Sequence, residues 1–272
     1  MSRPFVLLLA GMSEDRAWAV VTGASSGIGR ALAQCFARDR HPVALVARSQ
    51  DKLHSLASEL GAIGAPRTRV LVHDLTEREA PARVVRAMAD VEIEALVNNA
   101  GFGSNGLFWE LPLERELEMV DLNIRALVEL SHRFLPRLRA RGRGYILNIG
   151  SVAGFQAGPL MSTYYASKAF VQSFSEGLAL ELQGSSVSVT VHCPGATASD
   201  FAQTAGNDVS RLFESGRVAS SEAVAADAYR AMRARKVSAI HGLTNRIMAW
   251  SGRLVPRTLA ASVSKRLNER PD

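Results

Sequence analysis

Seven short runs of almost uninterrupted apolar residues, at 18–21, 43–47, 70–73, 95–98, 145–149, 187–193 and 237–241, constrain this chain more than any other feature. A strand with one wet face alternates apolar and polar residues, whereas most of these runs do not alternate and must be covered on both faces. Between them lie helical patterns at 27–39, 49–60, 76–88, 114–140, 162–183 and 221–235. Strand and helix in alternation predict parallel strands joined by helical crossovers, hence an α/β fold: a doubly wound parallel sheet of about seven strands with helices on both faces. The 272 residues would suit one or two domains at roughly 100–200 residues each, and no Pro/Gly/Ser-rich linker divides them. The expected layout is one domain over 12–245 with a variable loop near 197–220, an N-terminal extension at 1–11 and a basic C-terminal extension at 246–272. Glycines at 61–64 and 142–144 are expected to end two of the helices.

The first run passes directly into Thr22-Gly23-Ala24-Ser25-Ser26-Gly27-Ile28-Gly29 and then into a helical pattern. Glycines let a backbone approach a pyrophosphate closely, and the unpaired N–H groups of the following helix favour its charge. A dinucleotide site is therefore expected at Gly23, Ser25, Ser26, Gly27, Ile28 and Gly29. The spacing G-x-x-x-G-x-G differs from the commoner G-x-G-x-x-G, and a tight turn needing positive φ would also use glycine. Arg48 and Ser49 follow the second run, where the adenosine ribose lies in dinucleotide folds. An acidic residue there accepts from a ribose 2′-hydroxyl; an arginine offers a forked donor to a 2′-phosphate, which favours NADP(H) over NAD(H).

Tyr164 and Lys168 in Ser162-Thr163-Tyr164-Tyr165-Ala166-Ser167-Lys168 stand one helical turn apart, with Ser151 thirteen residues upstream of the tyrosine. An ammonium beside a phenol lowers the phenol pKa from about 10 towards neutrality, making Tyr164 a candidate proton donor and acceptor. Tyr165, three residues before Lys168, is the neighbouring alternative, which the register implied by the resemblance below leaves as a packing residue.

These residues together resemble the short-chain dehydrogenase/reductase family over about residues 18–201, with several further motifs in order. Asp74-Leu75 stands where that family places an Asp near the adenine, Asn98-Asn99-Ala100-Gly101 is similar to its NNAG motif, Asn123 matches its helical catalytic Asn, and Pro194-Gly195 matches the loop at the nicotinamide end. The resemblance implies a Rossmann-like domain with Asn123, Ser151, Tyr164 and Lys168 as the catalytic set. It assigns cofactor contacts to Asp74, Leu75, Asn99, Ala100, Gly101, Tyr164, Lys168, Pro194, Gly195, Thr197 and Ser199, the last standing where the family usually has Thr. It implies hydride transfer between nicotinamide and a carbonyl or secondary alcohol, with Tyr164 moving the proton, Ser151 holding the reacting oxygen, Lys168 lowering the tyrosine pKa and binding ribose, and Asn123 holding a water. It also implies a homodimer or homotetramer, and reduction as the working direction.

Phe102, Phe155, Leu160, Met161, Phe201, Leu212 and Phe213 are candidate pocket residues, whose apolar character points to a lipophilic small-molecule carbonyl or alcohol. A 3-oxoacyl thioester reductase and a non-catalytic dinucleotide sensor are the competing readings; a sensor has no need of all four catalytic side chains. Net charge is +6, but 28 of the 32 basic residues are Arg spread along the chain without a stripe, so nucleic acid is not expected. Cys35 and Cys193 form no CxxC, and the six His are scattered singly, so neither a disulfide framework nor a metal site is expected, in keeping with a cytoplasmic location. The apolar run 5–10 is shorter than the ~7–15 residues of a signal-peptide core. Residues 1–11 are read as a loose extension, or Met12 as the natural start. The tail 247–267 mixes apolar and basic residues, which suits packing on its own domain or a partner and leaves peripheral membrane contact open.

Overall fold

The computed structural model describes residues 16–198, 218–251 and 255–269. Residues 1–11, Ser199, Phe201, Leu212, Phe213 and most of the expected substrate loop lie outside the described residues. In chain order the elements are β1 Trp18–Thr22, α1 Gly27–Arg38, β2 Val43–Ala47, α2 Gln50–Ile63, β3 Thr68–Val72, α3 Ala80–Ala87 and β4 Ile93–Asn98. They continue with α4 Leu113–Val120, a π turn Asp121–Ala126, α5 Leu127–Ala140, β5 Gly144–Ile149, a 3-10 turn Val152–Phe155, α6 Ser162–Glu181 and β6 Val187–Cys193. Last come β7 Thr197–Ala198, β8 Ala219–Ser220, α7 Ser221–Arg233, β9 Ser238–Ile240, α8 Leu243–Ser251 and α9 Arg257–Asn268.

Seven strands form one parallel sheet in the order β3-β2-β1-β4-β5-β6-β9, a Rossmann-like doubly wound arrangement. Every residue of β1 and β4 is buried, as lack of alternation requires. One face packs on α1, α2 and α7 through Leu32, Phe36, Leu53, Leu56, Leu60, Ala228 and Met232. The other packs on α3 and α5 through Val84, Met88, Leu130, Phe134 and Leu138. Strand order reverses between β1 and β4, so a crevice opens there at the carboxyl ends of the strands.

Three expected helices differ from those observed. The one expected at 76–88 begins only at Ala80: the Asp74 carboxylate accepts from both the backbone N–H and the hydroxyl of Thr76, holding the chain in a side-chain-closed turn until Pro81 starts the helix. Gly61 lies inside α2, which ends at Gly64, where φ is 130°. The single helix expected at 114–140 is interrupted by the π turn that carries Asn123, a distortion frequent at functional sites. Helices α8 and α9 and the short β7–β8 pair were not expected at all.

Candidate active site

The glycine turn is shaped by its neighbours. Gly23 (φ 64°) and Gly27 (φ 54°) occupy left-handed backbone that side chains disfavour. A Cβ on Gly23 would lie 2.8 Å from Asn99 Nδ2, and one on Gly29 would lie 2.2 Å from the Gly23 oxygen. Asn99 explains this closeness: its amide donates to the carbonyls of Thr22 (2.9 Å) and Gly23 (3.2 Å), while the Thr22 hydroxyl accepts from the N–H groups of Asn99 and Ala100. Asn98 works deeper, donating to Ser131 and Asn148 and tying β4 to β5. The Ser26 side chain makes no cap bond to α1, so the first N–H groups of that helix face the crevice unclaimed by it. A turn that admits no Cβ at Gly23 or Gly29, ending at such a helix N-terminus, fits a pyrophosphate.

Gly23, Ser25, Ser26, Gly27, Ile28, Arg48, Ser49, Asp74, Leu75, Asn99, Ala100, Gly101, Ser151, Tyr164, Lys168, Pro194, Gly195 and Thr197 all line one cavity of about 420 Å³. Gly29 and Asn123 do not line it. Gly29 provides the close fit of α1 on the turn. Asn123 is buried, its Oδ1 accepting from Phe102 N (3.1 Å) and its Nδ2 donating to Phe102 O and Ser167 Oγ. Ser167 in turn donates to the Tyr164 carbonyl at 2.7 Å, so the Asn123 side chain braces the first turn of α6. Among the expected apolar pocket residues Phe102 and Met161 line the cavity; Phe155 and Leu160 do not, Phe155 packing beside Val171 and Val191 instead.

At the opposite end from Arg48, Ser151 caps the 3-10 turn, its hydroxyl accepting from Ala153 N (3.1 Å), and it is hydrogen-bonded to the Tyr164 phenol. The Lys168 ammonium donates to the Ile149 carbonyl (2.9 Å) and lies 5.8 Å from the centre of the Tyr164 ring. A Cβ on Gly101 would stand 3.7 Å from that ammonium, so the NNAG turn forms its near wall.

Electrostatics correct one expectation. Burial pushes the Tyr164 phenol well above its ordinary value, and the Ser151 hydrogen bond only partly opposes it. Lys168 is itself buried, which drags its pKa down to about 8. Tyr164 is thus held protonated at neutral pH. Burial raises Cys193 to about 12, which makes it an unreactive thiol. At the adenosine end burial opposes ionisation of Asp74, but hydrogen bonds from Thr76 and the Arg48 guanidinium, 3.6 Å away, hold its carboxyl below the usual range.

Several lining residues escaped the sequence reading. Lys52, one helical turn beyond Arg48, joins it in the cavity wall, and its place follows only once α2 is known to start at Gln50. Met248, Leu267 and Asn268 bring the C-terminal helices into the same wall. The histidines are not all scattered, either: His192 of β6 and His241 after β9 meet Asp227 of α7, with Nε2 and Nδ1 at 3.1 and 3.3 Å from one carboxylate oxygen. An ionised carboxylate only accepts, so both rings present N–H, and Asp227 further pairs with Arg230. The trio forms a hydrogen-bonded clamp beneath the Cys193-Pro194-Gly195 loop, with the other His192 nitrogen, Nδ1, buried and without a partner.

The structure thus has a nucleotide-sized crevice at the switch of a parallel sheet, with a glycine turn and a Ser/Tyr/Lys set in one cavity, and the chain belongs to the short-chain dehydrogenase family, whose model matches residues 17–210. Its relatives include the very-long-chain 3-oxoacyl-CoA reductase of Anas platyrhynchos, 40% identical over 178 residues (64% of this chain, 57% of that protein). Another is the 1-deoxy-11-beta-hydroxypentalenate dehydrogenase of Streptomyces exfoliatus, 38% identical over 68% of this chain and 69% of that protein. The matched region spans little more than half of the 3-oxoacyl-CoA reductases, 57% in the duck protein and 53% in one from Danio rerio. Among solved structures, a short-chain dehydrogenase from Sphingobium yanoikuyae in complex with NADPH superposes with TM-score 0.79 at 34% identity, covering 94% of this chain and 99% of that one. The bulky-bulky ketone specific alcohol dehydrogenase from Comamonas testosteroni does so with TM-score 0.74 at 31% identity, covering 88% and 93%.

Proposed function

We propose that this chain is an NADPH-dependent reductase of a lipophilic ketone. The observation that carries the reading is that Ser151, Tyr164 and Lys168 share one cavity with the phosphate turn and with the paired cations Arg48 and Lys52. Two positive side chains at the adenosine end suit a 2′-phosphate better than a bare ribose hydroxyl, and a solved relative is described in complex with NADPH.

A bound nicotinamide supplies the hydride. The chain's own groups handle the oxygen and the proton. Ser151 Oγ, oriented by Ala153 N and by Tyr164, holds the carbonyl oxygen beside the phenol. Tyr164, kept protonated by burial, gives its proton to that oxygen as negative charge develops there. The Lys168 ammonium, still charged at neutral pH, stabilises the phenolate left behind. Asn123 keeps the first turn of α6 in place through Ser167, a positioning task. Phe102, Met161 and Leu267 give the substrate end its apolar character.

A second reading, reduction of a long-chain 3-oxoacyl thioester, is supported by the names of the relatives at 40% and 37% identity. NADPH oxidation followed with a panel of alicyclic, aromatic and long-chain ketones and with 3-oxoacyl-CoA esters tests both. Faster turnover of the thioesters than of any simple ketone moves the assignment to the second; oxidation of NADPH by neither class refutes the enzyme reading.

A further inference from the structure

The C-terminal helix α9 buries almost nothing apolar. Its two fully buried residues are Ser264 and Asn268, one turn apart, and Ser264 is satisfied within the helix by donating to Ala260 O. An asparagine wholly removed from water at the end of a helix costs free energy unless its polar groups are matched. Here each one is. Asn268 Nδ2 donates to the Pro159 carbonyl (3.0 Å), its Oδ1 accepts from the Tyr165 hydroxyl (3.3 Å), and its backbone carbonyl accepts from Asn105 Nδ2 (2.9 Å).

Those three partners belong to the three segments that face the substrate end of the cavity. Asn105 lies on the loop that leaves the NNAG turn, Pro159 on the loop that follows the Ser151 turn, and Tyr165 is next to Tyr164 on α6. The first two loops are also joined directly, Gly106 N donating to Leu160 O (2.8 Å). Tyr165 has no freedom to seek another partner: a Cβ on Gly158 would fall 2.3 Å from its ring, so the ring lies flat on that glycine, and it stands edge-on to Tyr164 at 6.1 Å. The doublet Tyr164-Tyr165 therefore divides its labour, one phenol facing Ser151 and the other holding the C-terminal helix. Leu267 and Asn268 line the cavity beside Met161 and Tyr164, with Met248 of α8 on the same wall.

We propose that Asn268 is a specificity-determining residue: it pins α9 as a wall of the substrate chamber, so that the clasp Asn268–Tyr165–Pro159 and the side chain of Leu267 set the largest apolar ketone the site accepts. The proposal rests on the ketone-reductase reading above. It assigns chain selectivity to the C-terminal helix and leaves the proton chemistry with Tyr164 and Ser151.

The test compares wild type with Asn268→Ala and Leu267→Ala, using cyclohexanone as the small ketone and benzophenone as the bulky one. Binding of each to the NADP⁺ complex, which has no hydride to give, is measured by calorimetry, and kcat and KM are measured with NADPH. Both variants should raise the benzophenone-to-cyclohexanone ratio at least fivefold, in binding and in kcat/KM, chiefly through KM, while NADPH affinity stays within twofold of wild type. Leu267→Ala removes no hydrogen bond, so it carries the test if Asn268→Ala folds poorly. Ratios within twofold of wild type in the folded variants overturn the proposal, as does an equal loss for both ketones. A wild type that binds ketones but reduces none refutes the reductase reading instead, and the clasp is then decided on the binding ratio alone.

Discussion

Replacing Arg48 with Ala removes one of two cations from the adenosine end of the cavity, and the structure limits how much that costs. A hydrogen bond between charged groups contributes about 1.5–3 kcal/mol. The Arg48 side chain is 69% exposed, so water screens it and the lower end applies. Lys52 stays in the same wall and keeps part of the field. Asp74, 3.6 Å from the guanidinium, loses a neutralising neighbour and then repels a phosphate more strongly. The expected result is about a tenfold weaker NADPH Kd, roughly 1.4 kcal/mol, and about a hundredfold for Arg48→Ala with Lys52→Ala. NADH, which has no 2′-phosphate, should change by less than twofold. Calorimetric titration with both dinucleotides at low and high salt is the assay, and the wild-type preference should shrink as salt screens the exposed pair. An unchanged NADPH-to-NADH ratio in the double variant refutes the assignment of these two residues.

Other expectations follow from the same geometry. Gly29→Ala places a Cβ 2.2 Å from the Gly23 oxygen and should lower stability by about 1–3 kcal/mol together with cofactor affinity, whereas Gly177→Ala in α6, with open space around its Cβ, should be neutral or stabilising in thermal denaturation; a wild-type Tm for Gly29→Ala would contradict the packing described. Lys168 has a folded pKa of about 8, below the 10.5 of a free lysine, so below pH 8 the native state bears the cost of a buried charge, and between 8 and 10.5 the unfolded chain binds more protons and stability rises with pH. Relative to Lys168→Met, the cofactor-free wild type should therefore gain up to about 3 kcal/mol across that window in denaturant unfolding; a difference that does not vary with pH would show that the ammonium is not desolvated.

The sheet was legible because buried parallel strands leave an unmistakable pattern, and the cofactor end because glycines and the NNAG turn are consecutive in sequence. What escaped notice depends on contacts between distant segments. The start of α3 at Ala80 is decided by Asp74 capturing Thr76, and periodicity cannot show a side chain competing with a helix. Helix α9 was invisible for a related reason: its buried side is Ser264 and Asn268, polar residues that form no apolar stripe. The His192–Asp227–His241 clamp draws on β6, α7 and the turn after β9, so no local spacing announces it. Tyr164 and Lys168 were found, but the direction of the tyrosine shift was not, because sequence offers the charge of a neighbour and conceals the depth at which both groups are buried.

The central claim is that Tyr164 gives a proton to a ketone oxygen. Tyr164→Phe removes only the phenolic oxygen, so NADPH should bind as before while turnover of the best ketone falls on the order of 10²-fold or more. Tyr165→Phe, which releases the Asn268 clasp but leaves Ser151 and Tyr164 untouched, should keep kcat for a small ketone close to wild type and show its effect in KM. Single-turnover oxidation of NADPH by the two variants measures this directly. Abolished turnover in Tyr165→Phe with a wild-type rate in Tyr164→Phe would contradict the account.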